Sequence, residues 1–139
     1  MTTREWLNRG FTLSRRLAVL TATRDTLANT ISRYETDGSQ SDHTKNRSED
    51  TFIRWSEAQR EIERIELELR NVDQETKGVI ENVKNENERA VLTCRYVYRL
   101  AWSEVQKATG YSEQHVFKLH ADGVKACGRY MDSIRTFWG

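Results

Sequence analysis

From Trp55 to Val83 the inward-type residues return every three or four positions without a gap: Trp55, Ala58, Ile62, Ile65, Leu69, Val72, Thr76, Val79 and Val83. That period belongs to an α-helix with one narrow buried face, and it leaves no room for the two-residue alternation of a strand. Glu61, Glu63, Arg64, Glu66, Glu68 and Arg70 fill the other faces. The spacing therefore predicts one long helix over about Thr51 to Lys84, apolar along a single seam. The 139-residue chain has no proline and only seven glycines, so little in it interrupts such helices.

A second seam precedes the first. Leu13, Leu17, Leu20, Leu27, Ile31 and Tyr34 keep the same spacing, with Arg24 in one seat of the repeat. This predicts a helix from about Trp6 to Tyr34, capped by Thr2 or Thr3 and carrying Glu5 in its first turn. Between the seams, Glu35 to Asp50 has no apolar residue and no period, and is expected to be an exposed loop. Two seamed helices joined by a polar loop suggest an antiparallel hairpin of coiled-coil character over residues 4–86. The same seams can also pair between two chains, and dimerisation is expected.

The pattern changes at Asn85-Glu86-Asn87-Glu88, which has the polarity of a capping box. A helix is expected to follow, with Ala90, Cys94, Val97 and Ala101 inward. Shorter elements come next: a helix from Trp102 to Ala108, the turn Thr109-Gly110-Tyr111, and a helix from Ser112 onward. Ser103 is expected to cap the short helix, and Val105 and Ala108 to face inward, Ala108 allowing a close crossing. Gly110 supplies the positive φ that ends the helix. Tyr111 plugs the turn, Ser112 caps the next helix and Val116 anchors it. Val116, Leu119, His120, Gly123, Cys127, Met131, Ile134 and Trp138 mark the inner face of the last helix. A glycine in mid-helix costs about 1 kcal/mol relative to alanine, so Gly123 signals a close contact or a bend. The helix runs to the C-terminus or pauses at Gly128. The aromatic stretch Tyr130 to Trp138 covers the core or joins a partner.

Helix, tight glycine turn and second helix, in that order, are what a helix-turn-helix needs to stand its second helix in the major groove of DNA. The outward residues of that helix's first turns are then the base readers: Glu113, Gln114, His115, Phe117 and Lys118, with Ala121 and Asp122 further along. Gln pairs with adenine, Glu accepts from cytosine, and Lys reaches guanine or phosphate. Arg95, Arg99, Ser103, Lys107, Ser112, Lys125 and Arg129 are the candidates for phosphates. Charge runs the same way. Residues 1–88 carry 14 Lys+Arg against 17 Asp+Glu, whereas residues 89–139 carry 8 against 4.

Other chemistry has little support. His115 and His120 are five apart, which is not the spacing of a helical metal pair, so no metal and no cofactor are expected. The acidic residues between Glu61 and Glu68 lie on outer faces of a seamed helix and read as solvated charge. No serine or cysteine nucleophile has an evident base beside it, and the chain is expected not to be an enzyme. Cys94 and Cys127 form no CxxC pair and read as two buried thiols in a reducing cytoplasm. No apolar run approaches the roughly 20 residues of a membrane span.

The stretch from Glu88 to about Lys125, with Arg95-Tyr96, Trp102-Ser103-Glu104-Val105, Gly110-Tyr111-Ser112, Val116 and Leu119-His120, resembles region 4 of bacterial sigma factors. It is more similar still to the sigma-region-4-like proteins of Gram-positive phages and prophages, including late-transcription regulators of the ArpU and RinA types. The resemblance implies an all-α protein with a helix-turn-helix module over residues 87–139, a role in transcription, and double-stranded DNA as partner. The hairpin would serve dimerisation, RNA polymerase contact or both. Two other readings share this layout: a phage DNA-packaging subunit of small-terminase type, and a module that grips RNA polymerase or another regulator.

Overall fold

The computed structural model describes residues 1–36 and 42–138. Among them every regular element is helical, as the seams predict. The α-helices are α1 (Thr3–Leu7), α2 (Arg9–Thr36), α3 (Asp42–Ile80), α4 (Glu86–Leu92), α5 (Trp102–Thr109) and α6 (Glu113–Trp138), and a π-helical turn, Thr93–Val97, follows α4. The chain divides into two compact units, one of residues 13–69 and one of residues 1–12 with 70–139.

In the first unit, Leu13, Ala58, Ile62 and Ile65 are buried, with Leu17, Leu20, Leu27, Ile31 and Trp55 half-buried around them. The seams thus supply the inward faces of both helical stretches. Arg24, the odd member of its seam, keeps its place by donating to the side-chain oxygen of Gln59 at 3.0 Å and to Asp25. Arg16 pairs with Glu61, and Arg64 with Glu61 and Glu68.

Much of the stretch predicted as a loop, residues 35–50, is helical instead. α2 includes Glu35 and Thr36, and α3 already begins at Asp42, so residues 42–50 are helical; residues 37–41 lie outside the described residues. No glycine or proline stands between Asp42 and Lys77. A helix already nucleated by the seam extends at little cost through polar residues of that kind.

The second unit holds two apolar clusters. Leu7, Ile80, Val83, Leu92, Tyr96 and Cys127 form one, with Trp6, Phe11 and Val124 against it. Val91, Val105, Val116 and Leu119 form the other, with Leu100, Trp102 and Tyr111 against it. Thr2 caps α1 in a reciprocal box with Glu5. Asn85 caps α4 by accepting from the backbone of Asn87 and Glu88, but the returning bond from the Glu88 side chain is absent.

The inward face expected after Asn85 is corrected. Ala90 and Ala101 are exposed and Cys94 is only half-buried; Val91, Leu92 and Tyr96 are buried instead. Those three larger side chains remove more apolar surface from water than the predicted set, and they turn the helix to suit. Of the two thiols, only Cys127 is fully buried, and burial pushes it up to about 11.

α6 runs without a break past Gly128 to Trp138, whose side chain lies outside the described ones. Gly123 is explained by a close approach. A Cβ built there would sit 2.8 Å from Cδ1 of the fully buried Leu92. Gly78, in the last turn of α3, has nothing within 4 Å of such a carbon. Alanine at Gly78 is therefore expected to stabilise by about 0.5–1 kcal/mol. The same change at Gly123 is expected to destabilise by about 1–3 kcal/mol, because overpacking outweighs the gain in helix propensity. Urea unfolding of the two variants checks this, and equal shifts of one sign would contradict the close contact.

Candidate nucleic-acid interface

α5 is eight residues long and ends where Gly110 turns into the left-handed region, φ 74°, its N–H donating to the Gln106 carbonyl. Alanine at φ above zero would be strained, so this stop is written into the glycine. Ser112 then caps α6 by accepting from the His115 backbone at 3.2 Å. Tyr111 lies between the helices. Its ring packs with the second cluster and its hydroxyl donates to Asn87 Oδ1 at 2.7 Å.

Two expectations about α5 are corrected. Ser103 does not cap it: Ala101 is the cap residue, and its N–H is satisfied by Glu104 Oε1 at 2.9 Å. The glutamate half of a capping box suffices here, and Ser103 stands exposed one residue inside the helix. Ala108 is exposed rather than inward, whereas Val105 is fully buried as expected, in one cluster with Val116.

Along α6, Val116, Leu119, His120, Gly123 and Cys127 are buried, while Glu113, Gln114, His115, Phe117 and Lys118 are all exposed. Gln114, Lys118, Lys125 and Arg129 follow one another at steps of four and seven, so they share one outer face of the helix. His115 leans its ring on Tyr111 at 4.6 Å, and Phe117 packs on Trp102 at 5.2 Å. Glu113, Gln114 and Lys118 have no hydrogen bond or ion pair from their side chains among the described residues. Lys107, Lys125 and Arg129 are exposed as well.

Arg95 and Arg99 are placed differently from the other phosphate candidates. The guanidinium of Arg95 lies between the rings of Phe11 and Trp102, 4.4 Å from each centroid, and donates to the Leu100 carbonyl at 2.8 Å. Burial holds its pKa below the usual arginine value. Arg99 adopts φ 53° and binds Asp73 Oδ1 at 2.6 Å. Left-handed backbone at a non-glycine residue costs about 1–2 kcal/mol, and the ion pair helps to hold it. Both arginines thus brace the short connection between the π-helical turn and α5.

Behind α6, Tyr96 Oη and His120 Nε2 lie 2.6 Å apart. His120 also meets the Trp102 ring edge-on at 4.9 Å. Burial pushes His120 down to about 4, with the charges of Arg4 and Arg95 adding to the shift, and raises Tyr96. The imidazole is therefore neutral at neutral pH. Sequence reasoning placed His120 inward but missed this pair, whose members are 24 residues apart, and missed Arg4 altogether.

No helix among the described residues is long and apolar enough to cross a membrane. No group of histidines, cysteines and carboxylates among them is arranged to hold a metal ion. No curated protein and no solved structure matches the chain. A family model does match, over residues 29–127, from the last two turns of α2 through to Cys127 in α6. The chain belongs to the family described as a protein of unknown function (DUF1492).

Proposed function

We propose that the protein is a sequence-specific double-stranded DNA-binding regulator of transcription, of the phage or prophage type, and not an enzyme. α5, the Gly110 turn and α6 form the helix-turn-helix, and the first turns of α6 enter the major groove. The observation that carries this reading is the division of α6: its inner face is fixed in the core, while Gln114, Lys118 and Glu113 extend outward with no side-chain partner among the described residues. Polar side chains on a rigid helix, held out unpaired, suit base-edge recognition. Lys107, Lys125 and Arg129 supply phosphate contacts, with Ser103 and Ser112 at helix starts. Arg95 and Arg99, also candidates for phosphates, hold the module's shape as well.

The test is recovery of duplex fragments from host-plus-prophage DNA by the purified protein at near-physiological salt. Enrichment of one or a few sites near a phage promoter is expected. Gln114→Ala or Lys118→Ala should then weaken the preferred site by about tenfold, the size of one lost base pairing, and bulk DNA much less. No salt-sensitive binding even in low salt would remove the DNA reading.

The unit of residues 13–69 supports an oligomer or a protein partner such as RNA polymerase. Val19, Phe52, Ile53 and Leu67 are all more than half exposed on it, and a partner that covered them would remove that apolar area from water. A dimer would present two recognition helices to repeated half-sites. A solution mass of two chains is expected; a ring of many would favour the DNA-packaging reading.

A further inference from the structure

A pocket of about 360 Å³ opens beside α6, lined by Arg4, Asn8, Arg95, Trp102, Phe117 and His120 together with Tyr96. Two guanidinium groups border it and no carboxylate does. Elsewhere in the chain Arg9, Arg16, Arg64 and Arg99 each face an acidic partner. Arg4 has no ion pair and no side-chain hydrogen bond among the described residues. Arg95 spends one terminal nitrogen on the Leu100 carbonyl, and its Nε is buried without a partner.

Cations gathered without a counter-ion attract an anion, and the arginine fork favours an oxyanion that accepts several N–H bonds at once. Arg95 is already fixed by the rings on either side of it, so little side-chain freedom remains to be lost on binding. His120 adds a neutral wall rather than a third charge. Phe117, 42% exposed, offers a ring face at the mouth. Asn8 adds an amide that both donates and accepts.

We propose that this pocket binds a phosphate ester with an adjoining planar ring, which is nucleotide chemistry. The ester arrives as a free nucleotide or as part of a nucleic-acid strand lying along α6. Only the second source rests on the DNA reading above.

The experiment uses the full chain. Adenosine monophosphate is titrated at constant ionic strength while the His120 imidazole and Trp102 indole signals are followed by NMR. In parallel, duplex DNA binding is compared between the natural protein and Arg4→Ala, with Asn8→Ala as a second variant. Both residues stand at the edge of the fold, and thermal melting confirms that the variants are intact. Saturable shifts with Kd at or below about 1 mM, weakened roughly tenfold by Arg4→Ala, would establish the free nucleotide as ligand. No response to the nucleotide, but weaker duplex binding by Arg4→Ala with a shallower salt dependence, would assign the site to a strand phosphate. Nucleotide binding without any duplex binding would keep the pocket and remove the DNA reading. Absence of saturation up to about 10 mM, with duplex binding unaltered by Arg4→Ala or absent, would overturn the proposal.

Discussion

Replacing Leu92 with alanine is expected to cost about 2–5 kcal/mol of stability. Leu92 is fully buried, shares a cluster with Leu7, Ile80, Val83, Tyr96 and Cys127, and fills the space that a Cβ on Gly123 would need. Deleting its side chain loses the transfer free energy of three carbons and leaves a void between α4 and α6 that rigid helices close only in part. The measurement is urea unfolding at neutral pH, where a lower midpoint at unchanged slope reports stability alone. Adding Gly123→Ala to Leu92→Ala should help rather than harm, because the offending carbon is gone and a methyl group returns to the void. That reversal of sign is a coupling between touching residues. A loss below about 1 kcal/mol for Leu92→Ala would show that the contact is loose.

Acid is expected to remove about 3 kcal/mol through His120 alone. Its ordinary pKa of 6.5 falls to about 4 in the folded chain, and each unit is worth about 1.4 kcal/mol. The native state holds the imidazole neutral among Tyr96, Trp102, Arg4 and Arg95, whereas the unfolded chain lets it take a proton. The contribution is therefore fully present above about pH 6.5 and is lost as pH falls through the interval down to about 4. Carboxylates also titrate at the lower end, so the comparison is with His120→Gln, which cannot take up that proton. The stability gap between the two proteins should change by about 3 kcal/mol between pH 7 and pH 4. Parallel curves would mean that His120 is not held neutral.

Helical class was legible because a seam at steps of three and four is visible wherever it is long. Ile62, Ile65, Val72 and Thr76 were all placed inward from spacing alone, and all are buried. The turn was legible from Gly110, since few other residues accept its φ. What could not be read depends on partners distant in sequence. Arg95 looks like any surface arginine until Phe11, 84 positions away, closes over it. The buried face of α4 was misjudged because small apolar residues at a plausible spacing compete with larger neighbours, and only the packing decides which set turns inward. The start of α3 was missed for the opposite reason: residues 42–50 follow no apolar pattern, so their helix leaves no trace in the sequence. In the candidate interface, the outward residues of α6 were legible from its inner face, while Arg4 belongs to another helix and had no signal.

The π-helical turn at Thr93–Val97 has an evolutionary consequence. A wide turn of this kind is an α-helix that has taken in one additional residue. Deleting a residue there would restore ordinary winding and leave Val91 and Leu92 on one side, and Trp102 and Val105 on the other, in their places. Insertions and deletions of single residues among related chains should therefore gather at this turn, where length can drift while the core on either side stays in register.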